Sequence, residues 1–306
     1  MNEQRFYCYV CTMAFLADEN CYKVHMVRSS ELLQPFVTGC HIYETLPDKI
    51  DICHDIIFPA WTTIRFIMPG GKVMISLNGE EYRDIPIMAM FGPLSLLVRA
   101  QGLPGRIIGC GVTPLGFARL FNFPAVQCAN RVLNLEEIWG ARAHLLFSAL
   151  QDCETAEMVM AKFEEFFAPI ISKLTEKEVQ IAKMMNLLTG SHGIEIDRAA
   201  QIIGFSKHQF LRNSKKYFGF APKILLRRSR FLKSILAVAS NPTENPITLI
   251  DEGYFDYSHF VKDCHYFFQM SPSEFVKLDK PIAMLSMKVM QKLTGNQVQS
   301  LQQIKF

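Results

Sequence analysis

The sequence predicts an α+β chain with a strand-rich first half and a helical second half. Three observations predict it. Short apolar runs broken by Gly, Pro, Asn and Asp fill the chain from Phe6 to about Gly111, the pattern of many short strands joined by tight turns. From Glu136 onward apolar residues recur at helical spacing. Shifting the sequence by 50 lays 206–222 on 256–272, placing Phe210 on Phe260, Phe218 on Phe268 and Pro222 on Pro272. Hydrophobic residues make up 49% and charged residues 20% of the 306. That is ordinary globular usage, and it excludes disorder, collagen-like repeats and a long coiled coil. The best apolar stretch, Pro86 to Val98, is broken by Gly92 and Pro93, so no membrane span is expected.

Within the first half, the runs CHIYETL, DIIFPAWTTIRFIMPGG, KVMISLNGEEYRDIPIMAMFG and GRIIGCGVTPL read as strands. Asn78-Gly79 marks a hairpin, because a type I′ turn needs two positive φ values. Many short strands suggest a small barrel or sandwich. Trp61, Arg65, Phe66 and Phe91 read in two ways. They are core residues with a surface arginine, which burial preference favours, or the wall of an apolar pocket with one charged anchor for an anionic effector. Glu136 to Leu150 and Cys153 to Phe167 have helical spacing, with Met158, Met160, Phe163, Phe166 and Phe167 read as core. A boundary is expected at 168–174, making 1–170 a first domain.

Nine cysteines, an odd number without a framework, favour a reducing compartment. Cys8, Cys11, Cys21 and His25 read C-x2-C-x9-C-x3-H. Zinc takes such ligands, yet the surrounding FYCYVCTMAF is apolar and free buried thiols are favoured. The same stretch is short enough for a signal-peptide core, but MNEQR has no basic excess in its side chains and no A-x-A site follows. A cytoplasmic protein is therefore expected. Isolated His41 and His54, with no H-x-H, argue against a metal-dependent barrel enzyme. Cys110, between Gly109 and Gly111, reads as a small buried strand residue, since nothing nearby in sequence lowers its pKa. No GxGxxG, Walker A, G-x-S-x-G or HExxH stands in the chain, and no enzyme is expected.

In the second half Thr175 and Glu178 have capping-box spacing. Each copy of the repeat then reads as helix–turn–helix. In the first, Ile196 to Ile203 precede Gly204, and Ser206 caps a helix whose Phe210, Tyr217 and Phe218 face inward. In the second, Ile247 and Ile250 precede Gly253, and Asp256 caps a helix with Phe260, Phe267 and Phe268 inward. Between them Pro222 to about Ser240 is one helix of roughly 27 Å, carrying Arg227, Arg228, Arg230 and Lys233 as expected phosphate contacts. Charge supports a polyanion partner. Residues 1–189 hold 16 Lys and Arg against 20 Asp and Glu, a net of −4, and residues 190–306 hold 16 against 9, a net of +7. Residues 281–306, with three Lys, five Gln and no acid, read as a loosely attached tail, helical at most in part.

The stretches AAQIIGFSKHQFLRNSKKYFGFAPKILLRRSR (199–230) and GYFDYSHFVKDCHYFFQMSPSEF (253–275) resemble the AraC/XylS family of transcription regulators. The first half, in LLQPFVTGCHIYE, IIFPAWTTIRFIMPGG and GRIIGCGVTPLGFARLF, is more weakly similar to the family's barrel-like, cupin-like sensor domains. The resemblance implies an N-terminal sensor or dimerisation domain with flanking helices. It implies a C-terminal all-α domain at 171–280, with two helix-turn-helix units joined by a long helix. It further implies binding of double-stranded DNA, recruitment of RNA polymerase, self-association and a small-molecule effector, with no cofactor. Lys207, His208, Leu211, Arg212, Lys215 and Lys216 would serve one groove; Tyr257, Ser258, Val261, Lys262 and His265 would serve the next. His259 would be structural. Ser214 and Cys264 stand where the family places Phe, which would loosen both recognition helices. Leu249 at a usually small position and Glu252 at a usually apolar one would weaken the second unit. A metal- or redox-sensing regulator built on Cys8, Cys11, Cys21 and His25, a cupin-type enzyme, and a thiol-acceptor DNA-repair enzyme are the alternatives.

Overall fold

A computed structural model describes residues 14–19, 21–47, 50–190 and 193–303. The strand-rich half comprises β1 (Ala14–Glu19), β2 (Tyr22–Arg28), β3 (Val37–Thr45), β4 (Cys53–Ile57), β5 (Thr62–Ile67), β6 (Lys72–Leu77), β7 (Glu80–Tyr82), β8 (Met88–Phe91), β9 (Val98–Leu103) and β10 (Arg106–Val112). Helix α1 (Pro114–Leu120) and β11 (Val132–Asn134) complete it. One sheet runs β1, β2, β3, β10, β5, β8, β11; the other runs β4, β9, β6, β7. All pairings between described strands are antiparallel. Ile57, Ile67, Ile75, Phe91 and Val98 from both sheets pack together, so the sheets face each other. The expected hairpin joins β6 and β7, with Asn78 at φ 55° and Gly79 at φ 80°.

Strand alternation decides what each residue of β5 does. Thr63, Arg65 and Ile67 point between the sheets. Ile64 and Phe66 point the other way, into the core shared with the helices. Those helices are α2 (Leu135–Trp139), α3 (Ala141–Gln151) and α4 (Ala156–Phe167); Gly140, at φ 56°, divides the single helix expected over 136–150. Phe66 lies 6.3 Å from Phe163 of α4. The glycines of β10 make room for neighbours. A Cβ on Gly109 would stand 2.8 Å from His41 Nε2, and one on Gly111 would collide with the Gln299 amide.

The helical half holds α5 (Glu176–Gly190), α6 (Ile196–Ile203), α7 (Lys207–Phe218), α8 (Pro222–Ser240), α9 (Pro246–Leu249), α10 (Tyr257–Phe268), α11 (Pro272–Lys277) and α12 (Pro281–Thr294). The connector ahead of α5 is clasped by Arg119 of α1. Its guanidinium donates to Glu178 at 2.7 and 2.8 Å, to the Ile170 carbonyl at 2.6 Å and to Ser172 Oγ at 2.8 Å. The Arg119 hydrogen bonds hold the Glu178 carboxyl down to about 2, against its desolvation. Thr175 and Glu178 cap each other reciprocally, as their spacing predicts.

Within the segment 281–306, the described residues 281–303 depart from expectation. They form no loose tail: α12 lies against β1, β2 and β4. Leu285, Val289 and Leu293 pack on Val24 and Met26, while Ala283 and Met287 join the core of Phe260, Phe268 and Phe275. Because α12 is inserted between two surfaces, it is apolar on two sides. That blurs the single stripe by which a surface helix is read. Asp55 of β4 caps its N-terminus, accepting from Ile282 N at 2.6 Å and Ala283 N at 3.1 Å. Beyond it, Gln299 Nε2 donates to Thr38 Oγ1 at 3.0 Å and Ser300 Oγ to the Pro59 carbonyl at 2.8 Å.

Candidate nucleic-acid interface

The first unit is α6 and α7. Gly204, at φ 82°, closes α6 where a side chain would be strained. Ser206 Oγ accepts from Gln209 N at 3.2 Å, and Gln209 Oε1 accepts from Ser206 N at 2.8 Å. This reciprocal cap fixes the start of α7. Phe210, Tyr217 and Phe218 are buried; Lys207, His208, Arg212, Lys215 and Lys216 are exposed, and Leu211 is half-buried. No acidic residue lies on α7; Asp197 of α6 pairs with Lys207 at 3.0 Å. The helix therefore offers a basic outer face over an aromatic inner one.

The second unit is built differently. Its first helix, α9, has four residues against eight in α6. Asp256 caps α10 by accepting from His259 N at 2.7 Å. Ser258, Lys262 and His265 are exposed, while Tyr257 and Val261 are half-buried. The His259 ring stands edge-on to Tyr254 with centroids 5.1 Å apart. Leu249 packs against the core beneath, and Glu252 is exposed.

The arginines of α8 are not a free phosphate-facing run. Arg227 Nε bonds Asp263 at 2.6 Å and lies over Tyr266. Arg230 approaches the same carboxylate at 3.7 Å and donates to the Gly253 carbonyl at 3.0 Å. Tyr254 OH completes the shell of Asp263 at 2.9 Å, and Asp263 is fully buried. Lys233 reaches the Gly190 carbonyl at 3.4 Å. Arg228 is also fully buried. It stacks 4.4 Å from the Trp61 ring and donates to the Leu94 carbonyl at 2.8 Å, tying α8 to the β half. Desolvation pushes it down to about 9. A basic stretch on a helix flanked by buried surfaces is thus engaged by internal partners before it meets solvent.

Ser214 and Cys264 do not leave their helices loose. Ser214 is buried and donates to the Phe220 carbonyl at 2.6 Å. Cys264 is buried, with its thiol pushed up to about 12 by desolvation. Ser214 is held by that hydrogen bond, and Cys264 lies in the core with Phe260, Phe267 and Phe268.

Between the two sheets and α12 lies a cavity of about 190 Å³. Arg65 and Phe91 line it, but Trp61 and Phe66 do not: Phe66 occupies the opposite face of β5, and Trp61, just ahead of that strand, packs against Phe218 at 5.8 Å. Tyr43, His41, Thr63, Ser286 and Met290 add to the lining. Burial and the Arg65 charge hold His41 well below the usual imidazole range.

Of the proposed cysteine–histidine set, Cys8 and Cys11 lie outside the described residues. Cys21 is half-buried. His25 is engaged elsewhere: its Nδ1 accepts from Ala156 N at 3.2 Å and its Nε2 lies 3.5 Å from Glu157. Among the described residues no group of three or more His, Cys, Asp or Glu is gathered for a metal. Cys110 is buried, and desolvation raises its thiol. No described helix is long and apolar enough to cross a membrane.

Asp263 and Asp55 are residues that sequence reading missed, and Arg228, read as a phosphate contact, is buried instead. The repeat held a signal for the first, since Asp263 falls on Asn213 and so adds a charge at an inward position.

No family model matches the chain, and no curated protein matches it. Solved structures give distant likenesses. An apo variant of ToxT from Vibrio cholerae strain SCE256 has 11% identity and a TM-score of 0.41, covering 82% of this chain and 98% of that one. ToxT from Vibrio cholerae O395 has 12% identity and a TM-score of 0.41, covering 74% and 96%. The AraC-like transcriptional activator CuxR has 15% identity and a TM-score of 0.25, covering 73% and 86%. At so low an overlap, function has to be argued from the residues of the site.

Proposed function

We propose that this chain is a sequence-specific, double-stranded-DNA-binding transcription regulator of the AraC/XylS kind, with a small-molecule effector held between its sheets. The observation that carries the reading is the pair α7 and α10. Each is twelve residues long and capped by a side chain. Each lays Phe residues inward and polar or basic residues outward, and α10 packs on α8 through Arg227 and Phe231. Helices so presented suit successive major grooves. Lys207, Lys215 and Lys216 neutralise phosphates. His208, Leu211 and Arg212 read bases in one groove, and Tyr257, Ser258, Val261, Lys262 and His265 serve the next. Recruitment of RNA polymerase and self-association belong to the same reading, which makes the chain a regulator rather than an enzyme.

Fluorescence anisotropy tests it, using duplex from upstream of the protein's own gene against scrambled duplex across a salt series. The expected result is preference for the native duplex, a steep salt slope, and loss of that preference in Arg212→Ala. If residues 170–280 and the full chain both fail to bind any duplex at low salt, the reading falls.

A further inference from the structure

Resting on the effector reading above, we propose that the cavity between the sheets takes a compact organic monocarboxylate. Its carboxylate is held by Arg65 of β5 and its apolar body rests on α12. The cavity is mostly apolar: Ile56, Ile67, Phe91, Met287, Met290 and Leu293 contribute to its wall. Several of its polar groups are unsatisfied. Arg65 Nε, Thr63 Oγ1 and His41 Nε2 are buried without hydrogen-bond partners. Thr63 and His41 are at least nine-tenths buried. Buried polar groups are ordinarily paired, so several orphans around one cavity mark a site built for a ligand.

Charge fixes the class of that ligand. Arg65 lies 5.1 Å from the Phe91 ring centroid and 5.8 Å from that of Tyr43, with no carboxylate among the described residues within ion-pair distance. Asp55 also lines the cavity, but its oxygens are engaged by the backbone N–H groups of Ile56, Ile282 and Ala283. Of the other cations along the wall, Arg106 pairs with Glu44 at 2.9 Å and Lys72 with Asp84 at 2.8 Å, while Arg28 lines both this cavity and a second hollow that Lys233 also lines. The Arg65 guanidinium, set between aromatic faces, matches one carboxylate in bidentate fashion and does not by itself compensate a polyphosphate. Size sets the rest. A cavity of about 150 Å³ takes benzene, so 190 Å³ suits an apolar body of roughly 8 to 10 heavy atoms. The wall opposite β3 and β5 is α12, whose Ser286 faces Tyr43. The ligand therefore touches a helix whose Ala283 and Met287 line the cavity and also lie in the core of the second helix–turn–helix unit.

The full chain is titrated by calorimetry and thermal shift with octanoate, 2-naphthoate and cyclohexanecarboxylate, each beside its primary amide, and with pyrophosphate. The acids should bind about 10- to 100-fold more tightly than their amides and raise the melting temperature; pyrophosphate should do neither. Arg65→Met should abolish the acid preference, Arg65→Lys should restore part of it, and Ser286→Phe, which fills the cavity from α12, should block binding while the protein stays folded. Absence of heat and shift with every acid overturns the proposal, as do equal affinities for acid and amide, Arg65-dependent binding of pyrophosphate, or full binding by folded Ser286→Phe. If Arg65→Met does not fold, Arg65→Lys and Ser286→Phe decide. Acid binding that leaves DNA affinity unchanged would confirm the site and count against the regulator reading instead.

Discussion

The two helix–turn–helix units share a sequence plan and differ in what their charges do. In α7 the outward residues are Lys207, His208, Arg212, Lys215 and Lys216, and the inward position 213 is a neutral Asn. In α10 the outward cations shrink to Lys262 and His265. The matching inward position is Asp263, which gathers Arg227, Arg230 and Tyr254 in the interior. The first unit turns its charge to solvent and the second turns charge into the joint with α8. One unit presents its basic residues outward and its copy is an anchor, and the two differ at the buried position held by Asn213 in the first and Asp263 in the second.

The sharpest way to break that contrast is to empty the anchor. Asp263→Ala strands two arginines and should destabilise the protein by about 3–5 kcal/mol. Asn213→Ala strands no charge and should cost about 1 kcal/mol. Urea denaturation measures both, and equal losses would erase the distinction.

Next in size is the support that α12 gives the second unit. Burial pushes Asp55 up to about 6 despite three backbone N–H bonds that favour its ionised form. A carboxyl raised in the folded state binds its proton more tightly there than when unfolded. Its contribution is therefore whole below about 4 and is lost as pH rises through about 6, a change of up to about 3 kcal/mol. Melting temperature should fall over that window in the native chain and flatten in Asp55→Asn. Hydrogen exchange should show α10 loosening before α7; the reverse order would mean that α12 serves both units alike.

On DNA, Arg212→Ala should cost about 1–3 kcal/mol at a specific site and relax one base position. Lys262→Ala should cost less, because the anchor unit presents fewer cations. An equal or larger loss in a competition binding assay would reverse the roles. The smallest effect is expected from Ser214→Ala, which leaves the Phe220 carbonyl without its donor and should lower stability by about 1 kcal/mol, read by thermal melting.

The parts legible in the sequence were those set by local chemistry. Ser206, Thr175 with Glu178, Asn78-Gly79 and Gly204 each carry a short-range instruction, and the structure shows each one obeyed. The inward faces of α7 and α10 follow from phenylalanines at helical spacing. What escaped reading depends on partners far away in the chain. Arg228 looks like one of four solvent-seeking cations until Trp61 covers it. The apolar residues of α12 do not form one stripe, since they serve two surfaces. The cavity was half legible: Arg65 and Phe91 were named with Trp61 and Phe66, and strand alternation separates Thr63, Arg65 and Ile67 from Phe66.

The placement of α12 also bears on how the molecule is made. Residues that wall the cavity emerge from the ribosome after everything else described around it. β10 ends at Val112 and α12 begins at Pro281, an interval of roughly ten to thirty seconds at ordinary elongation rates. During that time the nascent sheets stand open along β1 and β2, with Val24 and Met26 uncovered. A truncated product would carry both helix–turn–helix units and expose the sticky face that α12 hides.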